Sequence, residues 1–256
     1  MHPIFSGDCV GDFSVESADG IVKATHALFD RMKNGDILIA YDFDGTVLDT
    51  MAAHGRLAAD CMHAEFGTEY KEAMRLYYST TGIPFPKQLE KIYPKGPAEK
   101  RKACADNYWN RKTAEVYRAT KPFPEIKETL ELTGTFAQKS TIASSTEAWL
   151  IKELTGKHGL TKYFESIWGC EEGSKQEHIA RMRKKYKIAA VIFVGDSTSD
   201  VKMKEKGADL TIGKAGPKES GMLSPAELVA AGADYATEDL RDINRILDHL
   251  TNLLCE

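Results

Sequence analysis

The sequence predicts an α/β protein: a Rossmann-like parallel sheet with helices on both faces and a helical insert. Three observations carry that reading. Runs at 37–41, 139–143 and 189–194 are short, apolar and rich in β-branched residues, as strands buried on both faces are. Segments with helical character separate the runs, which makes βα units and a parallel sheet. Each run ends in acidic, hydroxyl or glycine residues, and ligands of such sheets bind beyond the carboxyl ends of the strands.

In chain order, residues 1–16 are polar without clear periodicity. Val22, Leu28, Phe29 and Met32 suit one face of a helix over 17–34, which Asn34-Gly35 would stop. The first strand follows. Residues 50–120 read almost wholly as helix, at 54–66, 70–79, 86–93 and 98–118. Breaks fall at Gly67-Thr68, Thr80-Thr81-Gly82 and Pro94-Lys95-Gly96-Pro97. No strand pattern interrupts this insert. Lys121-Pro-Phe-Pro124 marks the return to the core. A helix at 125–132, a strand at 139–143, a helix to 158, a strand at 163–168 and a helix at 174–187 come next. The strong strand at 189–194 leads to a short helix ending at Gly207 and a strand at 208–212. Residues 214–231 read as irregular, 233–236 as a last strand and 240–254 as a closing helix. The expected organisation is a core of 1–49 and 121–256 and a cap of 50–120.

Composition narrows the function. A net charge of −4 does not favour a nucleic-acid or anionic-membrane partner. No apolar run approaches the length of a membrane span. Five scattered cysteines without a CxxC argue against a disulfide framework or zinc finger and for a reduced compartment. With no signal-peptide pattern at the N-terminus, a cytoplasmic location is expected. The oligomeric state is left open.

The chemistry concentrates where the first strand ends, at Asp42-Phe43-Asp44-Gly45-Thr46. Side chains alternate along a strand, so Asp42 and Asp44 are expected to point the same way. Paired carboxylates repel unless a cation lies between them, which suggests a hard-metal site. Ser144-x-x-Glu147 fits a helix capping box, so Ser144 reads either as a cap or as a phosphate ligand. Ser174-x-x-Glu177 fits the same pattern and places Lys175 in a first helical turn. A cation there opposes the helix dipole unless an anion offsets it. Lys214 is a weaker second candidate. Tyr77, Tyr78, Tyr108 and Trp109 read as core.

Asp42-Phe-Asp44-Gly45-Thr46 resembles the DxDGT signature of the haloacid dehalogenase-like hydrolases. Ser144, Lys175 and Gly195-Asp196-x-x-x-Asp200 resemble that family's second, third and fourth motifs, in the family's order. The insert resembles the family's C1 α-helical cap. The resemblance implies a Mg²⁺-dependent phosphatase acting on a small phosphate ester, of the phosphoglycolate or sugar/polyol phosphate class. It implies Asp42 as a nucleophile forming an aspartyl-phosphate and Asp44 as general acid and base. Lys175 is the implied catalytic cation. Mg²⁺ would be held by Asp42, the Asp44 backbone carbonyl and Asp196, with Asp200 holding a metal-bound water or orienting Lys175. Ser144 and Ser145 would bind the phosphoryl group, and His54, Thr81 and Gly82 would meet the substrate. Mutases of this family carry an arginine three residues after the cap-loop glycine. Here that position is Phe85, which argues against the alternative of a β-phosphoglucomutase-type phosphomutase. A non-catalytic phosphate-binding regulator is the other alternative, disfavoured because no catalytic position is lost.

Overall fold

A computed structural model describes residues 37–137 and 139–252, with the backbone alone at 248–252. The helix expected over 17–34 lies outside the described residues. Six parallel strands form one sheet: β1 (Ile37–Tyr41), β2 (Lys139–Ala143), β3 (Ser166–Trp168), β4 (Ala190–Gly195), β5 (Leu210–Lys214) and β6 (Tyr235–Thr237). Their order is β3-β2-β1-β4-β5-β6, with β1 hydrogen-bonded to both β2 and β4. The strand order reverses at β1, so the carboxyl ends of β1 and β4 flank the crevice where a sheet of this kind binds its ligand.

The sequence of β1 explains its central place. Every residue from Ile37 to Tyr41 is buried. Ile39 and Tyr41 face the layer containing Ile126, Leu130, Ile243 and Ile246. Leu38 and Ala40 face Ile179, Met182, Val191 and Phe193. The period of two therefore feeds both faces of the sheet, and a continuous apolar run is what such a strand requires.

Helices α1 (Met51–Phe66), α2 (Tyr70–Tyr78), α3 (Phe85–Ile92) and α4 (Ala98–Lys112) fill the interval between β1 and β2. The helix expected over 98–118 is not continuous, because α4 passes into a π-helical turn at Thr113–Tyr117. Such wide turns re-aim the side chains after them. The remaining helices are α5 (Ile126–Phe136), α6 (Ala148–Lys157), α7 (Lys175–Tyr186), α8 (Thr198–Val201), α9 (Pro225–Ala230) and α10 (Asp242–Asn252). The stretch read as irregular over 214–231 is more ordered than expected. β5 runs through Lys214, and α9 is capped by a reciprocal Ser224–Glu227 box with Pro225 in its first turn. Among the described residues no helix is long and apolar enough to cross a membrane.

One buried group off the crevice sets an acid limit on stability. His178 on α7 is 1% exposed, and neither ring nitrogen has a hydrogen-bond partner among the described residues. Burial, helped by the Arg181 charge, pushes its pKa down to about 4 from 6.5. The folded state therefore stays neutral where the unfolded chain takes up a proton. That stability is fully present above pH ~6.5 and is lost as pH falls toward the folded value. The expected loss is up to about 3 kcal/mol, at about 1.36 kcal/mol per unit. Chemical denaturation of wild type and His178→Phe between pH 7 and 4 checks it: the variant should lose less stability over that range.

Candidate active site

The backbone first brings two motifs together. The Asp42 N–H donates to the Val194 carbonyl at 2.8 Å, continuing the β1–β4 ladder one residue past the strand. Asp42 and Asp196 thus stand side by side at the ends of neighbouring strands. Gly45 makes this possible. It has φ +73°, and a Cβ there would lie 2.5 Å from Asp196 Oδ2. Only glycine accepts both the left-handed backbone and the close approach.

Lys175 is where its capping box predicts, at the first position of α7 after Ser174. Its Nζ lies 2.9 Å from Asp42 Oδ2 and 2.6 Å from Asp200 Oδ1. Those carboxylates supply the anions that offset the unfavourable helix dipole. Asp200 does two jobs at once. Its other oxygen accepts from the Ser197 N–H at 3.1 Å and from the Ser197 hydroxyl at 2.6 Å, closing the cap of α8. Both Asp200 oxygens are engaged.

The charges in this cluster do not balance. Asp42, Asp196 and Asp200 are all buried, with ligand atoms within 4.8 Å of one another, against a single lysine. Burial, opposed by Lys175 and reinforced by Asp200, pushes Asp42 up to about 7. Burial together with the Asp200 and Asp42 charges holds Asp196 well above the usual carboxylate range. Burial would lower the Lys175 pKa, but Asp200 and Asp42 outweigh it and raise it. Asp42 Oδ1 has no hydrogen-bond partner among the described residues. An all-oxygen set with excess negative charge and a free carboxylate oxygen fits a hard divalent cation.

Asp44 does not share this environment. It lies beyond the end of β1 at Tyr41 yet lines the same cavity as Asp42. Its Oδ1 accepts from Thr50 Oγ1 at 2.8 Å and lies 3.2 Å from His54 Nε2. Its Oδ2 accepts from Tyr117 at 3.1 Å and from Thr146 Oγ1 at 2.5 Å. Burial would raise Asp44, but the His54 charge and these hydrogen bonds outweigh it and hold Asp44 below the usual carboxylate range. His54 in turn meets the Tyr108 hydroxyl through Nδ1 at 2.6 Å.

Asp42, Asp44, His54, Thr81, Gly82, Ser144, Ser145 and Asp196 all line one cavity of ≈ 80 Å³. Lys175 lines the adjoining cavity of ≈ 420 Å³, which shares Gly82, Ser144 and Ser145 with the first. Asp200 lines neither cavity and contacts Lys175 beside the Asp42 and Asp196 carboxylates. Lys214 is elsewhere, donating to the Glu238 carbonyl at 2.6 Å. The capping alternative for Ser144 is not realised: Glu147 stands at the N-cap of α6, and Ser144 Oγ accepts from the Thr146 N–H at 3.3 Å. Residues not foreseen as site residues also join the cavity wall, among them Tyr108, Lys112, Tyr117 and the Thr146 side chain. Tyr108 was expected in the core and is there as well.

Gly82 lies in the walls of both cavities. Its carbonyl accepts from Ser199 Oγ at 3.1 Å, linking the insert to the core. Its φ is +86°, and an added methyl group would run into the Ser199 and Ser197 hydroxyls. Gly82→Ala should therefore keep the fold yet hold the loop off the core, lowering kcat/KM about tenfold or more, as a displaced closing loop does. Steady-state kinetics alongside thermal melting of the variant check this.

The haloacid dehalogenase-like hydrolase family model matches residues 39–209. The chain belongs to the haloacid dehalogenase-like hydrolase family. Solved structures agree on the fold of this hydrolase. A protein described as a predicted phosphatase from Clostridium acetobutylicum is 20% identical, with TM-score 0.68, covering 84% of this chain and 100% of its own. A haloacid dehalogenase-like family hydrolase from Streptococcus pneumoniae is 17% identical, with TM-score 0.66, covering 82% and 97%. A protein described as a predicted phosphoglycolate phosphatase from Haemophilus somnus is 15% identical, with TM-score 0.63, covering 82% and 97%. No curated protein matches the chain.

Proposed function

We propose that this hydrolase is a Mg²⁺-dependent phosphatase that removes phosphate from a small ester through a phosphoryl group carried on Asp42. The observation that carries the proposal is the uncompensated cluster of buried carboxylates, with the partnerless Asp42 Oδ1 at its edge. Mg²⁺ would be held by Asp42, Asp196 and the Asp44 backbone carbonyl, and would offset charge on the phosphoryl oxygens. Asp200 acts through Lys175 instead, because both of its oxygens are already engaged.

Asp42 Oδ1 attacks phosphorus and the ester oxygen leaves, splitting one hard displacement into two easier ones. Lys175 holds the attacking carboxylate through its Oδ2. Ser144 and Ser145 receive the phosphoryl oxygens, helped by the backbone N–H groups of Ser145 and Thr146. Asp44 passes a proton to the leaving oxygen and in the second half takes one from water. The proton taken from water restores the one given up, and His54 Nε2, 3.2 Å away, positions the Asp44 carboxyl group. The helices of 50–120 act as the cap over a core of 1–49 and 121–256, and the Gly82 loop excludes bulk water.

A phosphomutase must also hold a second phosphate. The position that would meet it is Phe85, buried with its ring 4.3 Å from that of Tyr108. Phe85 itself offers no charge there, which favours hydrolysis. Phosphate release from a panel of monoesters is expected with Mg²⁺ and should vanish with EDTA and return on adding Mg²⁺. Metal-independent release, or transfer of phosphate within a sugar bisphosphate without release, would contradict the proposal.

A further inference from the structure

The cavity contains a cation that the phosphoryl chemistry does not use. Lys112, the last residue of α4, is 4% exposed and lines the cavity. Among the described residues it is the one lysine or arginine in that lining. A buried ammonium must be paired. Lys112 Nζ lies 2.7 Å from Glu147 Oε2 and 3.6 Å from the centroid of the Trp109 ring. Its place relative to Asp44 is fixed on both sides. Thr146, next to Glu147 in the chain, and Tyr117, five residues after Lys112, donate to the same Asp44 oxygen. Lys112 thus lines the same cavity as Asp44, paired with the chain neighbour of a residue that holds Asp44.

We propose that Lys112 reads a neutral hydroxylated leaving group, so that the substrate class is a small polyol or sugar phosphate rather than a phosphorylated carboxylate. This inference rests on the phosphatase reading above. An ammonium has three N–H groups. One is taken by Glu147 and one is directed at the Trp109 face, leaving a donor for the substrate. Glu147 has already matched the lysine's charge. A leaving group bearing a carboxylate would bring a further negative charge into a lining whose one lysine is already matched by Glu147. A hydroxyl meets no such penalty: it accepts from Lys112 and donates to an oxygen of Asp44 or Thr146. Phe85, Tyr108 and Trp109 supply an aromatic wall for the C–H face of the same group.

The test compares kcat/KM for glycerol 3-phosphate and phosphoglycolate with Mg²⁺ present, in wild type, Lys112→Met and Glu147→Gln. Wild type should prefer glycerol 3-phosphate by at least about tenfold. Lys112→Met should shrink that preference about tenfold, chiefly through KM. Glu147→Gln leaves the lysine charge unmatched and should swing the preference toward phosphoglycolate. A purely structural pair would lower both substrates alike, and that outcome overturns the assignment. So does a wild type that prefers phosphoglycolate, which would leave the phosphatase reading standing. Failure to hydrolyse any ester would overturn the phosphatase reading itself. Should Lys112→Met not fold, the wild-type ratio and its reversal in Glu147→Gln decide the matter.

Discussion

Asp42→Asn should lower turnover by on the order of 10⁴-fold or more, the scale seen when a covalent nucleophile is removed, while the protein stays folded. The two halves of this expectation come from different physics. Asparagine has no carboxylate oxygen with which to attack phosphorus. It is nearly isosteric, and it removes one of three buried carboxylates that share a single lysine. Burial pushes Asp42 up to about 7, so its ionised form is a liability to the metal-free fold. The sign follows: above that pH the wild type carries the extra buried charge, and Asn does not. Lys175 keeps its 2.6 Å contact with Asp200. Urea unfolding of the metal-free variant near pH 8 should give a stability equal to or above that of wild type. A large loss of stability would mean that the activity change reports a damaged fold.

Lys175→Met should do the opposite, costing the metal-free protein about 3–5 kcal/mol, the range for breaking a buried ion pair from one side. Methionine fills much of the same space, so packing is largely kept. What goes is the one cation facing Asp42 and Asp200, at 2.9 and 2.6 Å. The remaining carboxylates must then take up protons or bind a cation. Stability should therefore be recovered in part by Mg²⁺ and in part at acid pH, and turnover should fall by at least about 10²-fold. Unfolding curves with and without Mg²⁺ at two pH values separate these contributions. Unchanged metal-free stability would show that Lys175 is not what balances the carboxylates.

The parts of this site that were legible in the sequence are those fixed by a few adjacent residues. Asp42, Ser144, Lys175 and Asp196 each stand just after a strand or in the first turn of a helix, and local patterns locate such places. The pairing of β1 with β4 then brings Asp42 and Asp196 together. What was not legible depends on how helices of the insert lie over the core. Tyr117 is 73 positions from Asp44 and reaches it through the π-helical turn, for which no pattern in the sequence was visible. Lys112 and Glu147 are 35 apart and joined only by tertiary packing. Asp42 and Asp44 do line one cavity, as expected, although β1 stops before either residue. Helix α9 was missed although Ser224-Pro225-x-Glu227 carried the signal, because the surrounding glycines made the whole stretch look irregular.

The central claim is that phosphate passes through Asp42. Asp44→Asn should slow the second half-reaction, because the asparagine side chain cannot take a proton from the attacking water. Phosphoryl-enzyme should then accumulate. The direct measurement is mass spectrometry of that variant, acid-quenched during turnover with Mg²⁺ and p-nitrophenyl phosphate, whose leaving oxygen departs without a proton. The account predicts one added phosphoryl group, on a peptide containing Asp42, that is absent from Asp42→Asn. Continued turnover in Asp42→Asn, or a phosphoryl group on any other residue, would contradict it.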